Sequence, residues 1–252
     1  MMNLVPLMGL IFLTFCSPTV ATNPYSTPPS HDIFDDLLKK YVNDAGMVNY
    51  KGIQKERAKF NKYLNLLESN APNSHWTKNE KLAYWINAYN AYTIELVLNH
   101  YPVKSIKDIG SSVKIPFVST GWDIKFIKIG SEEYNLNDLE HGIIRKRFDE
   151  PRIHFALVCA ALSCPKLKNE AYDPARLDAQ LTSAVKDFLA NPIKNEIINQ
   201  DKAELSKLFS WYKGDFTKKT SLIEFLNKYA PKKINEKAKI IYKTYDWSLN
   251  EQ

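Results

Sequence analysis

The hydrophobic positions split the chain into a helical first part and a mixed remainder. Over 31–42, Ile33, Phe34, Leu37, Leu38 and Tyr41 recur at helical spacing, which predicts an amphipathic helix. A second helix is predicted over 53–67, with Phe60, Tyr63, Leu64 and Leu67 on one face. Thr77 and Glu80 have the spacing of a capping box, in which hydroxyl and carboxylate satisfy each other's free backbone N–H groups. The helix they open runs to about residue 99. It is apolar nearly all the way round, through Leu82, Trp85, Ile86, Tyr89, Tyr92, Ile94, Val97 and Leu98, so it belongs at the centre of the core. Asn87 and Asn90 share one face in its middle. Buried amides need partners, so they either bond a neighbouring loop or wall a site.

The period then changes. Trp122, Ile124 and Phe126 alternate with Asp123 and Lys125, and Ile127 and Ile129 resume the alternation out of phase. This predicts a bulged strand, turned by Gly130 into a second strand around Tyr134. A helix is predicted over 138–148. The apolar run 152–159 follows Glu150 and Pro151 and reads as a strand buried on both faces. Further helices are predicted over 173–190 and 221–229, a short hairpin within 195–205, and a final strand through 240–247. Helices first, then strands interleaved with helices, is an α+β pattern. The expected organisation is a helical part over 31–74 and a main domain over 75–252, with a mixed or antiparallel sheet and packed helices.

Residues 1–21 carry no charged side chain and read as a secretory signal peptide, and the Pro- and Ser-rich 22–30 as a linker. The expected location is secreted or periplasmic, with no stable membrane span after cleavage. Cys16 as a lipid attachment site is the weaker alternative, because Phe15 before it is large. The net charge of +6 comes from scattered lysines, with no basic run interleaved with aromatics, so no nucleic-acid partner is expected.

Chemistry points to the end of the buried run. After cleavage only Cys159 and Cys164 remain of the chain's 3 cysteines. In an oxidising compartment a disulfide between them is the structural alternative to a reactive thiol. Strand parity would send His154 and Cys159 to opposite faces. A helix over 138–148 spans roughly 15 Å. A strand running back beside it would bring Cys159 level with Glu140 and His141 in its first turn, where the positive helix end favours a thiolate. The expected constellation is therefore Cys159 as nucleophile, His141 as base and Glu140 as orienting acid, with Cys164 and His154 as the alternative pair. The spacing of these His and Cys residues matches no usual zinc pattern. No Gly-rich phosphate loop, Gly-x-Ser-x-Gly or His-Glu-x-x-His is present, and neither a metal nor a cofactor is expected.

Several motifs occur together: Lys81-Leu-Ala-Tyr-Trp-Ile-Asn-Ala-Tyr-Asn-Ala91, Asp138-Leu-Glu-His-Gly142, His154-Phe-Ala-Leu-Val-Cys159 with Ser163-Cys-Pro165, Ser206-Lys-Leu-Phe-Ser-Trp-Tyr212 with Asp215-Phe216, and Tyr245-Asp-Trp-Ser-Leu-Asn250. In this order they resemble the domain of unknown function 547 family over roughly 75–250. In plant members of that family the position matching Cys164 is often Ser, while that matching Cys159 tends to stay Cys. The resemblance implies a papain-like or transglutaminase-like fold, with Asn87, Asn90, Tyr89 and Trp211 lining a cleft. The expected activity is an exported cysteine hydrolase or acyl-transferase acting on a small-molecule or peptide amide or thioester. The alternative is a non-catalytic binding module that uses the same cleft for a peptide or a small thiol compound.

Overall fold

The computed structural model describes residues 26–110 and 120–252. The expected signal peptide, Cys16 and the first residues of the expected linker lie outside these. Ser26, in the described part of the linker, is held by the Trp76 indole N–H, 2.6 Å from its carbonyl oxygen.

Four helices come first: α1 (Asp32–Tyr41), α2 (Tyr50–Lys55), α3 (Arg57–Ser69) and α4 (Lys78–His100). The Asn49 side chain accepts the Gly52 N–H and so starts α2, an element the hydrophobic spacing did not separate from α3. Thr77 and Glu80 form the capping box of α4. That helix is buried almost throughout, from Leu82 to Leu98, and α1, α2 and α3 pack around it. Tyr84 donates to the Leu67 carbonyl at 2.6 Å, tying α4 to the end of α3.

Strands β1 (Ile127–Ile129) and β2 (Glu132–Tyr134) form an antiparallel hairpin. Gly130 makes its turn at φ 63°, where a side chain would be strained. The strand expected to start at Trp122 begins only at Ile127. The Asp123 carboxylate instead accepts from the Thr120 N–H and hydroxyl and winds Gly121–Asp123 into a 3-10 turn. Local side-chain bonds of this kind compete with a sheet ladder.

The helix expected over 138–148 is real but wound wide. Asp138–Ile144 is a π-helix, and α5 (Arg145–Arg147) continues it. The run after it is not a strand. The Glu150 carboxylate accepts the Arg152 N–H, Pro151 opens a 3-10 helix over Pro151–Phe155, and the chain extends only beyond Ala156.

Helix α6 (Leu177–Ala190) leads into a second sheet. Its strands β3 (Glu196–Asn199) and β4 (Lys202–Leu205) form the expected hairpin, and β5 (Lys239–Tyr242) joins β4 in parallel, in the order β3-β4-β5. Between β4 and β5 lie α7 (Leu208–Trp211), α8 (Lys213–Phe216) and α9 (Leu222–Tyr229). The fold is α+β, and among the described residues its strands form two small sheets. The final strand ends at Tyr242. The stretch after it lies along the cysteine loop: the Leu162 N–H bonds the Ser248 carbonyl at 2.8 Å, and the Asn250 N–H bonds the Ala160 carbonyl at 3.0 Å.

Two apolar clusters form the core. One surrounds α4; the other gathers α6, α9 and β4 around Phe155, whose ring meets Phe188, Phe209, Phe216 and Phe225. Phe155 belongs to the second cluster and its neighbour Ala156 to the first, so the stretch carrying His154 and Cys159 joins them.

Candidate functional site

Glu140, His141, His154, Cys159 and Cys164 all line one cavity of about 180 Å³. Its remaining wall is largely aromatic and includes Tyr89, Trp122, Trp211, Tyr212, Tyr245 and Trp247.

The backbone approach to Cys159 is fixed by Asn90. Its amide donates to the Ala156 carbonyl at 2.9 Å and accepts the Val158 N–H at 3.0 Å. Asn87 makes the same two-point clamp on Tyr172, donating to its carbonyl at 2.8 Å and accepting its N–H at 2.9 Å. Both amides are almost fully buried, and neither lines the cavity. This corrects the expectation that Asn87 and Asn90 wall the cleft. Their polar atoms are used up holding loops that would otherwise bury unpaired backbone groups. Tyr89 and Trp211, expected beside them, do line it.

Cys159 and Cys164 are joined in a disulfide, with their Cα atoms 6.2 Å apart. The chain turns between them at Ala160, whose φ of 58° is unusual for a residue with a side chain. Cys164 is 4% exposed, and Cys159 is only partly buried. The Cys159 N–H donates to Cys164 Sγ at 2.9 Å, and the Tyr245 hydroxyl lies 3.4 Å from Cys159 Sγ.

The two histidines differ in their surroundings. His154 sits on the 3-10 helix, buried at 2% exposure, its ring stacked 3.9 Å from that of Tyr212. Its Nε2 lies 2.8 Å from Asp215 Oδ2. Hydrogen bonds from His154 and Arg145 hold the Asp215 carboxyl well below the usual carboxylate range, so it can only accept. Burial pushes the His154 pKa down, against the pull of Asp215. The ring is therefore neutral, with its proton on Nε2 and a lone pair on Nδ1.

His141 is the reverse case. Its side chain is 44% exposed and its Nδ1 is 3.9 Å from Glu140 Oε1. An Arg145 guanidinium nitrogen lies 3.0 Å from the same Nδ1. A guanidinium only donates, so this bond takes the Nδ1 lone pair and leaves the proton on Nε2. Arg145 also bonds Asp215 Oδ2 at 2.7 Å and thereby ties α5 to α8. Glu140, 7% exposed, accepts a hydrogen bond from Tyr89 at 3.2 Å.

The parity argument that set His154 aside fails because the residues from Pro151 to Phe155 are not extended. Asp215, Arg145, Tyr212 and Tyr245 were missed as site residues. The aromatic-rich turn over 212–216 was visible, but nothing in its spacing tied it to His154.

The family model described as "Protein of unknown function, DUF547" matches residues 73–189. The chain carries a DUF547-family domain. No curated protein and no solved structure matches it. The match is shorter than the expected 75–250. The DUF547 segment supplies Glu140, His141, His154 and both cysteines, while Trp211, Tyr212, Asp215, Tyr245 and Trp247 follow it in the chain. About a third of the cavity wall, and the acid on His154, thus come from outside the matched segment. Among the described residues no cluster of His, Cys, Asp and Glu is arranged to hold a metal ion, and no helix is long and apolar enough to cross a membrane.

Proposed function

We propose that the protein is an exported cysteine-dependent hydrolase or acyl-transferase, with a cleft of the papain-like or transglutaminase-like kind. Cys159 is the nucleophile, His154 the general base and Asp215 the acid that orients it. The observation that carries this reading is the His154–Asp215 pair at 2.8 Å, whose imidazole lines the cavity that also takes in Cys159. An acid that fixes one imidazole nitrogen as donor leaves the other free to take a proton, as triad logic requires. His141, the base expected from the sequence, has its Nδ1 engaged by Arg145 and is assigned no proton-transfer role.

The disulfide is the resting form. Two equivalents of a small thiol reduce it, giving two protein thiols and one small-molecule disulfide. His154 then takes the Cys159 proton, and the thiolate attacks the acyl carbon of an amide or thioester. The leaving group departs with a proton from the imidazolium, and water or a second acceptor releases the acyl group. The test is intact mass after reduction and exposure to a small thioester. The reading requires an acyl adduct on Cys159 that His154→Gln lacks. An unmodified chain, or an adduct indifferent to His154, contradicts it.

A second reading is favoured by the disulfide itself: a non-catalytic module that binds a peptide or small thiol compound in the same cleft. It requires that reduction expose no thiol more reactive than that of a free cysteine peptide.

A further inference from the structure

We infer that the cleft binds an organic cation, an alkylated ammonium headgroup, and that this group is part of the substrate. The second half rests on the hydrolase reading; the first does not.

Three observations converge. The chain has 34 Lys and Arg residues and a net charge of +6, yet among the described residues none of them lines this cavity. Arg145 and Lys107 come near it only behind the rings they pair with, so the exposed lining carries no fixed positive charge and suits a positive ligand.

Glu140 lies in the wall at 7% exposure, and its hydrogen bonds from Tyr89 and Tyr212 come from neutral phenols. Arg145 is engaged with Asp215 at 2.7 Å and with His141 at 3.0 Å. Arg145 therefore reaches Glu140 through space without a direct bond, and a ligand cation in the cavity adds a direct positive partner that offsets the carboxylate's desolvation.

The aromatic wall is faceted. Tyr245 and Trp247 have ring centroids 4.6 Å apart, and Trp211 lies 4.7 Å from Tyr245. Trp122 meets Trp247 at 74° and 5.8 Å. Rings at such angles present both faces and edges, and the faces attract cations. The protein's own charges already use this attraction nearby: the Arg145 guanidinium lies 5.0 Å from the Tyr212 ring centre and the Lys107 ammonium 5.3 Å from that of Trp247.

The headgroup is alkylated for a physical reason. An ammonium that keeps its N–H bonds must find acceptors for all of them, whereas an alkylated one loses less hydration on entering an aromatic pocket. Burial, and after it the charge of Glu140, raises the pKa values of Tyr212 and Tyr245, so both phenols stay neutral. The cavity of about 180 Å³ suits a headgroup rather than a folded peptide. Benzene enters an engineered cavity of about 150 Å³.

The test compares choline with its uncharged isostere 3,3-dimethyl-1-butanol, by calorimetry and tryptophan fluorescence, on the full oxidised chain. Choline binds and quenches, and the isostere binds about tenfold more weakly or worse. Glu140→Gln and Trp211→Ala each weaken choline. Trp211 is 48% exposed, so that variant folds even if the other does not. The oxidised chain carries no free Cys159 thiol, so a failure of the thiol chemistry leaves this readout untouched. Equal binding of the two probes, or no saturable choline binding at millimolar concentration, overturns the inference.

Discussion

His154 Nε2 and Asp215 Oδ2 lie 2.8 Å apart, although 61 residues separate them in the chain. The bond joins the stretch leading to Cys159 to the aromatic turn of α8, and it fixes which imidazole nitrogen carries the proton. Asp215→Asn can reverse that donor. After reduction, the proposed acylation of Cys159 should fall by about 10²–10⁴ in Asp215→Asn and in His154→Gln, the range of a lost general base. Stopped-flow or quenched mass kinetics read this.

His141→Gln is the contrasting variant. Its ring takes a bond from Arg145, so its loss should leave the acylation rate within a few-fold of the parent. A drop as large as that of His154→Gln would restore the role expected for His141 from the sequence.

Asn90→Ala should destabilise the fold by about 2–4 kcal/mol, because it strips a buried carbonyl and a buried N–H of their partner at once. Asn87→Ala should cost a similar amount, through Tyr172. Denaturant unfolding of the reduced and oxidised proteins gives both values. Losses below about 0.5 kcal/mol would mean that water replaces the amides.

Acid should weaken the fold through its buried histidines, starting as the pH falls below 6.5. Burial lowers the His31 pKa from 6.5 to about 4, and its Nδ1 sits 2.7 Å from the Tyr63 hydroxyl. Burial lowers that of His154 too. A group that binds its proton more readily when unfolded contributes stability that is complete above its unfolded pKa. That contribution is lost as pH falls from there toward the folded value. The window for His31 therefore runs from 6.5 down to about 4. His31→Gln should flatten the decline in unfolding free energy across it, by about 1–2 kcal/mol once partial exposure is allowed for.

The helices were legible because their apolar spacing is strong and their caps are explicit: Thr77 with Glu80 starts α4 as expected. The sheet around Trp122 was not, because Asp123 bonds Thr120 at short range, and alternation alone cannot weigh that bond against a ladder. The buried run before Cys159 misled for a related reason. Short apolar runs do not distinguish strand from buried turn, and here Glu150 and Pro151 decide the matter. The site was half legible: Cys159 and Glu140 stood out by residue type, whereas Asp215 reaches His154 only through the tertiary fold.

The most direct test of the central claim is the alkylation rate of Cys159 by iodoacetamide in the reduced protein, read by peptide mass below the free-cysteine pKa of about 8.5. The account predicts that Cys159 reacts at least about tenfold faster than a free-thiol peptide and faster than Cys164, and that Asp215→Asn abolishes the advantage. A Cys159 that reacts no faster than the peptide would contradict it.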